Sequence, residues 1–273
     1  MYFARINSKI LKYFYGGMTM KEPEYHIKLT EENGAKYAII PGDPGRTEQI
    51  ASYLDNPREV MFNREFRTFE GCLEGEKVLV TSTGIGAPSA AICIEELAHI
   101  GVDTFIRVGT CGGMQREVKP GDLVIASGAI RQDGTSKEYM PVEFPAVADI
   151  DVTVALREAA QKLGIPNHTG VVQAKDAFYG QHDPDSMGAG YELKDKWQAW
   201  IKGGCLASEM ESGILFIVAS LRRLHAGAVF HCVWNQELAG HGMPEEDKNE
   251  NTDGAIRAAV EAIRILIRNS KEG

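Results

Sequence analysis

Short apolar runs bounded by glycine, proline or charge recur along the chain: YAII (37–40), KVLVTS (77–82), TFIRVG (104–109), DLVIAS (122–127), TGVVQA (169–174) and GAVFHCVW (227–234). Their length and their β-branched or aromatic content predict strands. Between them the apolar positions repeat at helical spacing. PSAAICIEELAHIG (88–101) and DVTVALREAAQKLG (151–164) each predict a helix that stops at a glycine. A third helix is expected over roughly 208–223 and a last one from about 253 to 268, with apolar residues on one face. Strands alternating with helices mean an α/β fold around a largely parallel or mixed sheet. No repeat, low-complexity tract or linker interrupts the pattern. One domain is expected over 21–273, preceded by an extension at 1–20 that is basic, aromatic and free of acids. That extension reads as a poorly ordered tail or a misassigned start, with Met18 or Met20 as the working first residue.

Composition narrows the classes. The 273 residues carry a formal net charge of -9, which argues against a broad nucleic-acid surface. The uncharged run at 213–221 is too short to span a bilayer. The five cysteines include no CxxC pair and read as reduced thiols of a cytoplasmic protein.

In α/β sheets ligands sit beyond the carboxyl ends of the strands, so the loops there are the places to look. PGDPGR (41–46) offers Gly42 and Gly45 for tight turns and Arg46 at the start of a helix, where the dipole also favours an anion. Taken alone it is equally a solvated turn. TGIGAPS (83–89) lacks the full dinucleotide fingerprint and the GK[ST] of a P-loop. It reads as a close backbone approach to a ligand or as a structural turn. RVGTCGG (107–113) puts Arg107 inside an apolar strand, where it needs an anion or a carboxylate, with Thr110 beside it. Arg64 in NREF (63–66) says little alone. In GCLASEMES (204–212), Glu209 and Glu211 stand against an apolar helix as capping acids or as a binding pair.

Together these stretches, with YHIKLT (25–30), EFPAVAD (143–149) and DAFYGQ (176–181), resemble the nucleoside phosphorylase superfamily, above all its uridine-cleaving branch. The resemblance runs in order from about His26 to Glu237. It implies a single-domain α/β/α sandwich with a mixed, partly barrel-like central sheet. It also implies a homo-oligomer, a hexamer built as a trimer of dimers with shared active sites. Phosphate would be held by Gly42, Arg46, Arg107 and Thr110, with Arg64 reaching in from a neighbouring subunit. Ribose would be held by Met210, Glu211 and Thr110, with the neighbour's His26 on the 5′-hydroxyl. The base would meet Phe178, Gln181 and His182. Arg107, Glu211 and Gln181 would carry the catalysis. No cofactor is expected; inorganic phosphate is the co-substrate. A structural monovalent cation matches Glu65, Ile85 and Ser89 by position, and no catalytic metal is expected.

The implied activity is reversible, phosphate-dependent cleavage of uridine to uracil and ribose 1-phosphate. Two arginines of that branch are absent: Asp183 stands two residues after Gln181, and Gln236 stands in WNQE (234–237). Asn235-Gln236 also replaces the Ser-Asp pair of the purine-cleaving branches, which favours a pyrimidine. Phosphorolysis of another nucleoside, hydrolysis with water in place of phosphate, and nucleoside binding without turnover remain the rival readings. Comparing uridine with inosine, with and without phosphate, separates them.

Overall fold

The computed structural model describes residues 22–239 and 248–272. The expected extension at 1–20 lies outside the described residues. In chain order the elements are β1 (Tyr37–Pro41), α1 (Pro44–Ala51), β2 (Asp55–Asn63), β3 (Phe66–Leu73), β4 (Glu76–Thr81), α2 (Ala87–His99), β5 (Thr104–Gly113), β6 (Leu123–Arg131), α3 (Thr135–Tyr139), β7 (Ala146–Val147), α4 (Ile150–Lys162), β8 (Asn167–Ala174), α5 (Phe178–His182), α6 (Gly190–Lys202), β9 (Ala207–Glu209), α7 (Ser212–Arg222), β10 (His225–Asn235), α8 (Gln236–Ala239) and α9 (Asp253–Glu272). The six strands and four helices expected from apolar patterning are all present.

The strands form one ten-stranded mixed sheet. β1 runs parallel to β4 and β5, and β5 parallel to β10. β6 opposes β10, β8 follows β6 in parallel, and β9 joins β8 to β5. Because β10 also pairs with β5, the five strands β5, β10, β6, β8 and β9 close into a ring. The rest of the sheet opens outward through β1, β4, β3 and β2. This is the mixed, partly barrel-like sheet expected.

Helices cover both faces, and each face has its own core. On one, Phe105, Phe216, Phe230 and Ile214 pack with α2 and α7. On the other, Ile39, Ile106, Val229 and Ile263 pack with α4 and α9. Each fully buried side chain of this size contributes about 1.5–3 kcal/mol of transfer free energy. Such a gain suits α7, which is apolar and buried from Gly213 to Ala219.

Two expectations need correction. The third helix begins at Ser212, not near 208, because 207–209 pair as β9 with β5 and β8. RVGTCGG is not a loop after a strand: β5 continues to Gly113, held by its pairing with β10 despite three glycines. Arg107 and Thr110 therefore sit on a rigid strand. The hairpin β2–β3 was not expected beyond a short edge at NREF; Arg64 and Glu65 are its turn.

Candidate active site

Arg107 is the one charged residue of β5 and is 5% exposed. A desolvated guanidinium needs partners, and the topology brings them. β9 lies antiparallel to β5 with Ser208 opposite Gly112, so the chain leaving β9 turns back alongside β5 toward Arg107. Glu209 and Glu211 follow directly. Arg107 Nη2 donates to Glu211 Oε2, and Nη1 donates to Thr83 Oγ1 at 3.4 Å. Arg107 Nε, buried and without a hydrogen-bond partner among the described residues, lies 3.7 Å from Glu209 Oε2.

The two acids divide their work. Glu209 accepts the backbone N–H of Glu211 at 2.9 Å, the N–H of Ser212 at 3.0 Å and the Ser212 hydroxyl, closing the N-terminus of α7. Burial raises its pKa first and Glu211 adds to the rise, while Arg107 and the hydrogen bonds oppose it. Glu211 accepts from the Gly86 N–H at 2.7 Å, at the mouth of α2. Its carboxylate is thus fixed between a cation and a backbone donor.

Arg46 approaches from α1, whose N-cap Asp43 accepts from Gly45 N–H at 2.8 Å. Burial lowers the Arg46 pKa; Asp43 raises it and Arg107 lowers it again. Two guanidinium groups that sense each other across one space form an attractive seat for an anion. Gly42 makes room for it: a β-carbon there would stand 3.6 Å from Arg107 Nη2 and 3.2 Å from the Gly84 carbonyl oxygen. Thr110 is exposed on β5 opposite His231 of β10, whose pKa is lowered by burial and, to a smaller degree, by Arg46. Gly42 and Arg46 thus stand near Arg107, and Glu211 is bonded to it.

Next to this region is a cavity of about 750 Å³ whose wall includes Gln132, Gln173, Lys175, Gln181, Trp234 and Gln236. Gln181 Oε1 accepts from Ser208 Oγ at 2.7 Å, and its Nε2 donates to Gln236 Oε1 at 3.1 Å. Gln173 Oε1 and Trp234 Nε1 are buried without partners among the described residues. Phe178 is half exposed, its ring 4.5 Å from that of His182. The His182 pKa is lowered, first by burial and then by Lys175 and Lys248.

His26, Arg64 and Glu65 gather elsewhere. His26 Nδ1 pairs with Glu96 Oε1 at 2.6 Å, and Asn63 Nδ2 donates to the His26 carbonyl at 2.6 Å. Arg64 is exposed, with φ 55 in the β2–β3 turn. Glu65 accepts from Ser89 Oγ at 2.7 Å, which lowers its pKa, with small contributions from Arg64 and His26. Ile85 is exposed. No hydrogen bond or ion pair links His26 or Arg64 to Arg107 or Glu211 among the described residues. No group of three or more His, Cys, Asp or Glu there could hold a metal ion.

Sequence reasoning missed Lys175, Ser208 and the glutamines at 132 and 173. The one signal was a lysine in QAKDAF, between a buried strand and an aromatic turn.

A buried arginine clamped by two carboxylates, a second arginine whose pKa it lowers and an amide-lined cavity make a class of site suited to an anion and to a ligand with hydrogen-bonding edges. The comparisons agree with that class. The Phosphorylase superfamily matches residues 36–268, and the chain belongs to it. It is 52% identical over 244 residues to uridine phosphorylase of Treponema pallidum, covering 89% of this chain and 94% of that one. It is 43% identical over 255 residues to uridine phosphorylase of Thermococcus kodakarensis, covering 91% and 88%. It is also 39% identical over 255 residues to guanosine phosphorylase of Halorubrum lacusprofundi, covering 90% and 99%.

Proposed function

We propose that this protein cleaves uridine with inorganic phosphate, releasing uracil and ribose 1-phosphate. The observation that carries the reading is Arg107 held against Glu211, with the Arg46 charge close enough to be felt by it. The names of the two most similar relatives described above support the choice of uridine. Glu211 accepts from the ribose hydroxyls, the strong kind of bond an ionised carboxylate makes, with Met210 beside it. Phosphate sits with Arg46, Arg107, Thr110 and the Gly42 backbone.

The N1–C1′ bond breaks with oxocarbenium character at C1′. Its electron pair leaves with the pyrimidine, and a phosphate oxygen forms the new bond to C1′. No side chain is the nucleophile; catalysis is positioning and electrostatics. Gln181 binds the base edge through its amide, and Phe178 packs on the ring. No cofactor enters the reaction.

His26 and Arg64, which make no hydrogen bond or ion pair to Arg107 or Glu211 within one chain among the described residues, would complete the site of a neighbouring subunit in a homo-hexamer. Glu65 and Ser89, bonded to each other, would with Ile85 hold a structural monovalent cation. The five cysteines are free thiols, in keeping with a cytoplasmic enzyme. No helix among the described residues is long and apolar enough to cross a membrane.

The test is ultraviolet-monitored turnover of uridine, inosine and guanosine with and without phosphate. Loss of uridine only when phosphate is present, with both purine nucleosides untouched, is the expected result. Purine turnover would keep the reaction and change the base, the outcome that the Halorubrum relative makes worth testing. Uridine loss without phosphate would make the protein a hydrolase.

A further inference from the structure

The departing pyrimidine takes negative charge, and the arginines that would meet it are absent at positions 183 and 236. Burial, Lys175 and Lys248 all disfavour the charged form of His182. One cation on the cavity wall is both buried and close to Gln181: Lys175, which is 6% exposed. It follows β8, and its backbone N–H is fixed to the Glu209 carbonyl at 3.1 Å. Its ammonium donates to Ser208 Oγ at 2.6 Å, and Ser208 donates to Gln181 Oε1 at 2.7 Å. The ammonium also lies 6.0 Å from the Phe178 ring centroid. A lysine placed only for solubility would not be buried under the two residues expected to hold the base.

The chain of donors has a direction. Lys175 has no lone pair to give, so Ser208 must point its hydroxyl hydrogen at Gln181 Oε1. That fixes the amide with Nε2 as its donor end, one hydrogen on Gln236 and the other available to a base carbonyl. A cation at the head of such a chain polarises each bond in it.

We propose that Lys175 supplies the positive charge that stabilises the leaving pyrimidine anion, acting through Ser208 on Gln181, in place of the missing arginines. The proposal rests on the uridine reading above. Lys175 is a positioning and electrostatic residue, not one that touches the reacting atoms. The groups facing it are Glu209 and Glu211 beside β9, Cys111 on β5, His182 on α5 and the neighbouring Asp176. Burial draws its pKa down to about 8, while Glu209, Glu211 and Cys111 hold it up. The ammonium form therefore prevails at pH 7 and is lost above pH 8.

The test uses uridine and 5-fluorouridine at pH 6.5, where both bases are neutral, with saturating phosphate. Fluorine makes the departing base a more stable anion, so it needs the cation less. Lys175→Met should lower kcat on uridine about 100-fold, the scale of losing one preorganised electrostatic partner. KM should change only a few-fold, and the loss on 5-fluorouridine should be at least 10-fold smaller. Lys175→Arg should recover much of the uridine rate. Equal losses on the two substrates would mean a structural lysine and overturn the proposal, while leaving the uridine reading intact. A second measurement needs no variant: kcat of the unmodified enzyme on uridine should fall with an apparent pKa near 8. A kcat flat to pH 9 would equally overturn it. If the unmodified protein leaves uridine intact with phosphate present, the reaction assignment fails and this inference with it.

Discussion

At the scale of single residues, the site is a balance of charge around Arg107. Glu209 and Glu211 together carry one more charge than Arg107 neutralises, and burial already lifts the Glu209 pKa. In Arg107→Ala the carboxylates face each other without their cation. We expect kcat/KM to fall at least 100-fold, the scale for removing an anion-binding donor. A carboxylate with a raised folded pKa binds protons more readily in the folded than in the unfolded state. Its folded form is then favoured as pH falls through that pKa toward the ordinary glutamate value of about 4.3. The melting temperature of the variant, relative to the unmodified protein, should therefore rise from pH 8 to pH 5.5. Parallel melting curves across that range would disprove this charge balance. Arg107 and Glu211 were legible in the sequence because a charge inside an apolar run demands an explanation. Lys175 was not, since a lysine just after a strand reads as a solvated turn until the fold buries it.

At the scale of elements, position comes from ladder and cap. The Glu209 side chain satisfies backbone donors that α7 would otherwise leave bare. Glu209→Ala should cost about 1–3 kcal/mol in denaturant unfolding, by loss of the cap and stranding of buried N–H groups. Glu209→Gln, which keeps an acceptor there, should cost less; equal costs for the two would rule out the capping role. The elements read correctly from sequence were those buried on both faces, such as β5, β6 and β10, or strongly amphipathic, such as α9. The elements missed lack that signal. β2 is exposed along most of its length, and β9 has three residues. α6 buries only Gly190, so its apolar positions define no core face. The register that brings Glu209 back beside β5 is a long-range pairing, which no local pattern encodes.

At the scale of the whole molecule, the proposed site is divided between chains. Arg64 and His26 would serve one neighbour, while Arg107 and Glu211 serve their own cavity. Arg64→Ala and Arg107→Ala should each be nearly inactive alone. Unfolding and refolding them together should restore activity, because mixed assemblies contain some sites with neither defect. No recovery in the mixture would mean that each chain works with its own residues. The sheet itself has a consequence for how copies may meet. The closed ring of β5, β10, β6, β8 and β9 offers no free strand to add to, and the long open edge among the described residues is β2. That strand carries Pro57, Arg58 and Glu59 and two register irregularities against β3. Proline removes a donor from the edge, the charges resist desolvation, and the irregularities bend it out of line. The chain can therefore pack against copies of itself through side chains while giving them no template for strand-to-strand growth into an aggregate.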